Sequence, residues 1–484
     1  MCGIVGIVDA GGVSFPLYYA LYALQHRGGQ ESAGISTFEG TTLHTHKAQG
    51  GLVAEVFNSQ TLQDLPGNAG IGHVRYPTTG SKVSENVQPF NFRYRGGLNL
   101  SIAHNGNLVN TAELREEYER RGGQIFCTTT DTEIMGNIIA DALRTSKSME
   151  DAVLLCMRRL RGSYATVALL NDTVYAFRDP LGIKPLCIGK LDNGYIVASE
   201  SVAIDALDGT FVRDVRPGEL VRIDESGLTS IQIATANRKA YCIFEYIYFA
   251  RADSVIDGTL VYDVRRRIGQ KLYDTCPPIE GDTVCPVPDS GIAYAAGYAK
   301  QSGSRSSRAD EEPLHGQDVH HATQQQRERA VRIKLNTVRG NLKDKRVVLI
   351  DDSIVRGGTT SRRIVNMIRD AGAEEVHLRV GSPPIIAPCY LGGVDMPTRT
   401  ELIASGKEVE AVRKSIGATS LTYIPLEDLV EAIGCGERNL CTGCLTGCYP
   451  VEINNEKNCH CIVDYGAGTH QSDLSTFRAG KGRT

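Results

Sequence analysis

VVLIDDSIVRGGTTSRRIV, residues 347–365, changes character twice within one short run. An apolar strand-like stretch ends on two adjacent acids, Asp351 and Asp352. A loop with Gly357, Gly358, Thr359 and Thr360 follows, and apolar residues then recur at helical spacing, predicting a helix over Thr359–Ala371. A strand running through a glycine-rich loop into a helix offers free backbone N–H groups, and the positive end of the helix, to an anion. Two carboxylates directly before that loop would repel a phosphate, but they suit sugar hydroxyls and a bridging Mg²⁺.

The flanking sequence repeats the alternation. Strand-like Thr283–Val287 leads into an alanine-rich helical run to Lys300, and a further strand is expected at Glu375–Val380. Strands alternating with helices imply a parallel α/β sheet. The first half, to about residue 236, reads differently. Short strands at Ile4–Val8, Ala69–His73, Leu98–Ala103, Tyr164–Leu169, Thr173–Arg178, Gly194–Ala198 and Glu219–Ile223 are joined by hairpin-like turns, with helices over Asp131–Arg144 and Ser148–Leu160. That pattern predicts antiparallel sheets.

Composition narrows the function classes. A chain of 484 residues holds two or three domains, and a net charge of −4 leaves no basic surface for nucleic acid. No run approaches the roughly 18 apolar residues of a membrane helix. Fourteen cysteines are too sparse here for a disulfide scaffold. The leading apolar stretch lacks a basic segment and is broken by Gly3, Gly6 and Asp9, so a secretory signal is not expected. A reducing cytoplasm is therefore the expected setting, with cysteines in catalytic or metal roles.

Cys2 is the first candidate nucleophile. Removal of Met1 would leave a thiol beside a free α-amine, whose ordinary pKa near ~8 lets it act as a base at neutral pH. Cys2 with Gly-Ile-Val-Gly behind it resembles the start of N-terminal-nucleophile (Ntn) glutamine amidotransferases. LQHRGGQESAG (24–34), GHVRYPTTG (72–80), AHNGNLVN (103–110) and TTTDTE (128–133) resemble that family's substrate segments. The resemblance implies that Arg75 takes the glutamine α-carboxylate and Asp131 its α-ammonium. It further implies that Asn105 and Gly106 form the oxyanion hole, and that Arg27 supports the nucleophile.

The 347–365 run resembles the phosphoribosyl-pyrophosphate (PRPP) signature of type I phosphoribosyltransferases. Together the halves are similar to the iron–sulfur type of glutamine PRPP amidotransferases, with FEYIYFARADSVIDG (244–258), PVPDSG (286–291), VRIKLN (331–336) and DMPTR (395–399) extending the likeness. That family implies an α/β multidomain fold. An Ntn-hydrolase αββα sandwich would occupy 2–236. A type I phosphoribosyltransferase parallel α/β domain would occupy 237–484, with a C-terminal cluster-binding segment and a disordered tail.

The implied PRPP contacts are Asp351, Asp352, Ser353, Arg356, Gly357, Gly358, Thr359 and Thr360. The implied Mg²⁺ site, one ion per subunit, is Ser290 with Asp351 and Asp352. Glutamine and PRPP are the implied substrates, purine nucleotides the inhibitors, and a homotetramer the assembly, with no nucleic acid or membrane partner. The reaction would give 5-phosphoribosylamine, glutamate and pyrophosphate, the first step of de novo purine synthesis.

Cys441-Thr-Gly-Cys444, read locally with Cys459 and Cys461, fits a zinc site or an iron–sulfur site. The resemblance implies a different set for one [4Fe–4S] cluster per subunit: Cys242, Cys389, Cys441 and Cys444.

Four places depart from the family. Gly29, Gly358 and Gly393 each add a glycine to a functional segment. SRSSRADEEPLHGQDVHHAT, 304–323, stands where the family has a loop like KNRYxGRTFI that closes over PRPP. Read one nucleotide later, the codons of this segment permit LMKNRYMGRTFIMP, which points to a compensated frameshift. A PRPP-sensing regulator, or a homologue deficient in synthesis, is the alternative that this loop raises.

Overall fold

The computed structural model describes residues 1–28, 31–76, 84–93, 99–122, 126–146, 148–278, 282–302, 337–356, 359–392, 398–454, 456–459 and 461–465. Segment 304–323 and the glycines at 29, 357, 358 and 393 lie outside these residues.

Two antiparallel sheets form the first body. Its strands are β1 (Gly3–Asp9), β2 (Ser32–Glu39), β3 (Thr42–Gln49), β4 (Ala69–Arg75), β5 (Phe90–Arg93), β6 (Asn99–Leu108) and β7 (Gly162–Leu170). Then follow β8 (Thr173–Arg178), β9 (Cys187–Leu191), β10 (Gly194–Ala198), β11 (Thr210–Asp214), β12 (Glu219–Asp224) and β13 (Gly227–Gln232). One sheet runs β11-β9-β10-β1-β4-β2-β3 and the other β13-β12-β8-β7-β6-β5. Both faces of β1 are buried, so its side chains are apolar on each side rather than alternating. Ile4, Val8, Ile71, Ala103, Val167 and Val197 fill the space between the sheets.

Helices cover the outer faces. Ser14–Ala23 packs Leu17 and Leu21 on the first sheet, and Asp131–Ser146 and Met149–Arg159 lie on the second. The expected start at Ser148 is the cap of the latter helix, its hydroxyl accepting the Asp151 N–H at 3.3 Å. This is the αββα arrangement.

The second body is built on a four-stranded parallel sheet, ordered Thr283–Pro286, Arg346–Asp351, Glu375–Val380 and Ser420–Tyr423. Helices Val261–Thr275 and Gly291–Ser302 share one hydrophobic core with this sheet. Thr359–Asp370 and Val409–Ile416 contribute to another. The end of the described chain returns to the first body: Val463–Tyr465 pairs antiparallel with Ala234–Ala236, and the Tyr465 hydroxyl donates to the Met157 carbonyl at 3.2 Å.

Candidate active sites and a cysteine-lined cavity

Strand register gathers the first site. Gly3 stands opposite Val74 and Ser32 opposite Arg75, so Cys2 and Arg75 meet at one end of neighbouring strands, both buried. The Cys2 N–H donates to Asn105 Oδ1 at 3.2 Å, and Cys2 Sγ lies 3.5 Å from the Tyr76 carbonyl. This contact fixes the Asn105 amide with Nδ2 turned away, buried and without a hydrogen-bond partner. An orphaned buried donor costs about 1–3 kcal/mol, which a ligand oxygen would recover.

Gly106 follows at φ +152°, where a Cβ would sit 2.0 Å from the Ser163 carbonyl oxygen. We expect Gly106→Ala to distort β6 and cost glutaminase activity, read by thermal unfolding alongside glutamate release.

Asp131 opens its helix beside the same strand. Its Oδ2 accepts the Leu108 N–H at 3.0 Å, and Oδ1 lies 3.7 Å from His104 Nδ1. Burial would raise this carboxyl, but the His104 ring and the Leu108 amide outweigh it and hold it below the usual range. An ionised, buried carboxylate at this place suits a cationic ligand group.

Arg27 is buried and donates from Nε to the Cys2 carbonyl at 3.0 Å. Its guanidinium forms a fork with Glu245 at 2.9 and 2.8 Å and also meets Glu200. Glu200 in turn accepts the Ser254 hydroxyl at 2.6 Å and the Arg251 N–H at 2.9 Å. Burial opposes ionisation of Glu200, yet His26 and Arg27 keep its carboxyl well below the usual range. Glu200, Glu245 and His104 were not among the residues expected to act here. AHNGNLVN (103–110) and FEYIYFARADSVIDG (244–258) contain His104 and Glu245, but the partners that give them these contacts are distant in sequence.

The Met1 α-amine is fully buried, and burial brings it down to about 5, with Arg27 and Lys184 acting in the same direction and the Cys2 thiol against it. The head of β1 therefore keeps an amine neutral.

The second site lies at the carboxyl end of the parallel strands, where open α/β sheets bind ligands. Asp351 and Asp352 are buried side by side, and the Ser353 hydroxyl donates to Asp352 Oδ1 at 2.5 Å. Ser290 donates to the other oxygen, Oδ2. Burial, and then the neighbouring Asp352, push the Asp351 carboxyl well above its ordinary value, and burial raises Asp352 against the pull of both serines. Two carboxylates so disposed to take up protons form a donor set that a hard divalent cation fits. The Arg356 guanidinium lies 3.5 Å from Glu401, and its backbone bridges Leu402. Thr359 and Thr360 start the following helix.

The four cysteines Cys242, Cys389, Cys441 and Cys444 line one cavity, otherwise closed by Ile183, Phe244, Leu391 and Tyr449. The lining is almost wholly apolar. Among the described residues, no three His, Cys, Asp or Glu side chains are already gathered as a metal site. Four thiols around a void suit a cluster of several irons better than one small ion. The local set is not brought together here: Cys459 is bonded to Cys448, and Cys461 does not line the cavity.

Residues 73–206 match the glutamine amidotransferase domain family. The chain is 49% identical over 459 residues to an amidophosphoribosyltransferase of Methanothermobacter thermautotrophicus, covering 94% of this chain and 95% of that one. It is 42% identical to the Bacillus subtilis enzyme of that name, covering 93% and 94%. The solved structure of the B. subtilis glutamine PRPP amidotransferase complexed with ADP and GMP superposes with a TM-score of 0.86 at 41% identity, covering 94% of this chain and 98% of that one. With identities of 42–49% over nearly the whole length of both chains, the chain belongs to the amidophosphoribosyltransferase family.

Proposed function

We propose that this enzyme makes 5-phosphoribosylamine from PRPP using glutamine nitrogen, releasing glutamate and pyrophosphate, the first step of de novo purine synthesis. The observation that carries the glutamine half is the orphaned Asn105 Nδ2 beside Cys2, with Arg75 and Asp131 at hand for the two charged ends of an amino acid. With Met1 removed, the Cys2 amine takes the thiol proton and Sγ attacks the glutamine carboxamide. The developing oxyanion lies toward Asn105 Nδ2 and the Gly106 N–H. On collapse the protonated Cys2 amine returns its proton to the leaving nitrogen, expelling ammonia and leaving a thioester, which water hydrolyses to glutamate and the free thiol. Arg27 anchors the Cys2 carbonyl throughout.

Ammonia then passes within the protein to the anomeric carbon of PRPP, whose ribose hydroxyls Asp351 and Asp352 orient. Ser353, Thr359, Thr360 and the intervening glycines are assigned to the phosphate. Mg²⁺, held by Asp351 and Asp352 with Ser290 beside them, would neutralise charge on the departing pyrophosphate. A [4Fe–4S] cluster on Cys242, Cys389, Cys441 and Cys444 would supply structure rather than chemistry. Feedback by purine nucleotides, a homotetramer and a cytoplasmic setting complete the proposal. Among the described residues no helix is long and apolar enough to cross a membrane. The regulator alternative leaves the Cys2 pocket without a use.

Separate assays of glutamine hydrolysis and PRPP-dependent synthesis test the whole reading. Intact mass of active protein should lack Met1. Asn105→Ala should cut glutamine-dependent turnover by about 10²–10³-fold, and an unchanged rate would remove Asn105 from the oxyanion hole.

The segment 304–323 brings Asp310, Glu311, Glu312 and Asp318 where a loop closing on an anionic substrate needs cations. Replacing Ser304–Thr323 with the other-frame reading should therefore raise PRPP-dependent synthesis more than about tenfold. A single clean reading frame in the source gene, together with full activity of the chain as written, would refute the frameshift.

A further inference from the structure

Lys184, directly after Ile183, is wholly buried. Its ammonium donates to the Gly392 carbonyl at 2.8 Å and to the Met1 thioether at 2.9 Å, neither of which carries charge. A buried cation without an anionic partner is expensive. Glu245, whose charge reaches the same Met1 amine as that of Lys184, already forks with Arg27. Among the described residues, no carboxylate pairs with the Lys184 ammonium. Ile183, the preceding residue, lines the cysteine cavity, and Leu391, preceding the Gly392 carbonyl, lines it too. The Cys242 N–H donates to the Ile183 carbonyl at 3.1 Å, so the residue before Lys184 is bonded directly to a cysteine of that cavity.

We infer that Lys184 is the counter-cation of the cysteine-held cluster, a positioning residue that also ties the cluster-bearing segment to the glutamine site. The inference rests on the cluster reading given above. A cluster ligated by four thiolates is anionic, and an apolar cavity offers no solvent to offset that charge. The tie is short. Gly392 packs so closely on Gly106 that a Cβ would lie 2.7 Å from its backbone, while Ser163 and Asn107 donate to the Leu391 and Tyr390 carbonyls at 2.7 and 2.8 Å. Loss of Met1 frees one of the ammonium's donors.

The test uses full-length protein prepared without oxygen as wild type, Lys184→Met, Lys184→Gln and Lys184→Arg. Iron and sulfide per chain, the reduction potential and the rate of bleaching in air are measured. Removing the positive charge makes an added electron less welcome. Lys184→Met and Lys184→Gln should therefore both shift the potential to more negative values and bleach several times faster, with Lys184→Arg close to wild type. Lys184→Gln keeps a donor for Gly392 without the charge, so wild-type behaviour in that variant overturns the inference even if Lys184→Met fails to fold. Iron-loaded neutral variants with unchanged potential and bleaching overturn it while leaving the cluster intact. Wild-type protein free of iron overturns the cluster and the inference with it.

Discussion

Cys2→Ala is expected to abolish glutamine-dependent synthesis, a loss of about 10⁴-fold or more, and to leave synthesis from added ammonia in place. The asymmetry follows from the two bodies. Cys2 supplies the nucleophile for amide cleavage, whereas the ribose and its leaving group are assigned to the carboxyl ends of the parallel strands. Alanine also fits the fold, because the Cys2 thiol's hydrogen-bond partner among the described residues is one backbone carbonyl, that of Tyr76, and the backbone contacts to Asn105 and Arg27 survive. Rates with glutamine and with ammonium chloride, measured on one preparation, decide the matter. Equal loss with both donors would mean that Cys2 supports the whole fold rather than the glutaminase step.

The second large effect joins activity to stability with opposite signs. Asp351→Asn and Asp352→Asn should each lower PRPP-dependent synthesis by about 10²-fold or more, since charge-assisted contacts are lost at the reacting sugar. Ligand-free protein should meanwhile become more stable at neutral pH. Burial raises both carboxyls, with repulsion from Asp352 added at Asp351, so the folded state binds protons more tightly than the unfolded state does. Such a group contributes stability fully present below its unfolded pKa and lost as pH rises through the folded value. Asn keeps the site neutral at every pH, removing the penalty and flattening the acid side of the stability curve. Thermal unfolding between pH 4 and 8 without PRPP or Mg²⁺ reads this directly. A variant less stable than the parent at pH 7 would contradict the electrostatic account.

Local pattern carried most of the architecture. Glu375–Val380 and Thr173–Arg178 were read at their observed bounds because turn residues flank them. The expected strand over Ala69–His73 runs on to Arg75, and the one beginning near Leu98 extends to Leu108. The extensions matter, because they carry Arg75 and Asn105-Gly106 on regular strands rather than on loops, where register can fix them. Asp351 and Asp352 were legible because strand end, loop and helix start are neighbours in sequence.

Nothing local could reveal Glu200, Glu245 or Lys184. Each acts on a partner brought near only by folding, such as Lys184 on Gly392, and each looks like an ordinary surface charge until burial is known.

The buried fork between Arg27 and Glu245 has a bearing on how such chains can be taken apart. One partner follows the first helix of the sandwich, and the other precedes the sheet of the second body. An engineer who deletes the sandwich to obtain an ammonia-only catalyst would strand Glu245 beside a raw surface, and grafting a foreign sandwich would strand it as surely unless an arginine arrived at the same depth. The severed return strand Val463–Tyr465 would lose its mate as well. Recombination within this chain is therefore expected to succeed when the joint carries both halves of the charge pair together, and to yield insoluble product when it separates them.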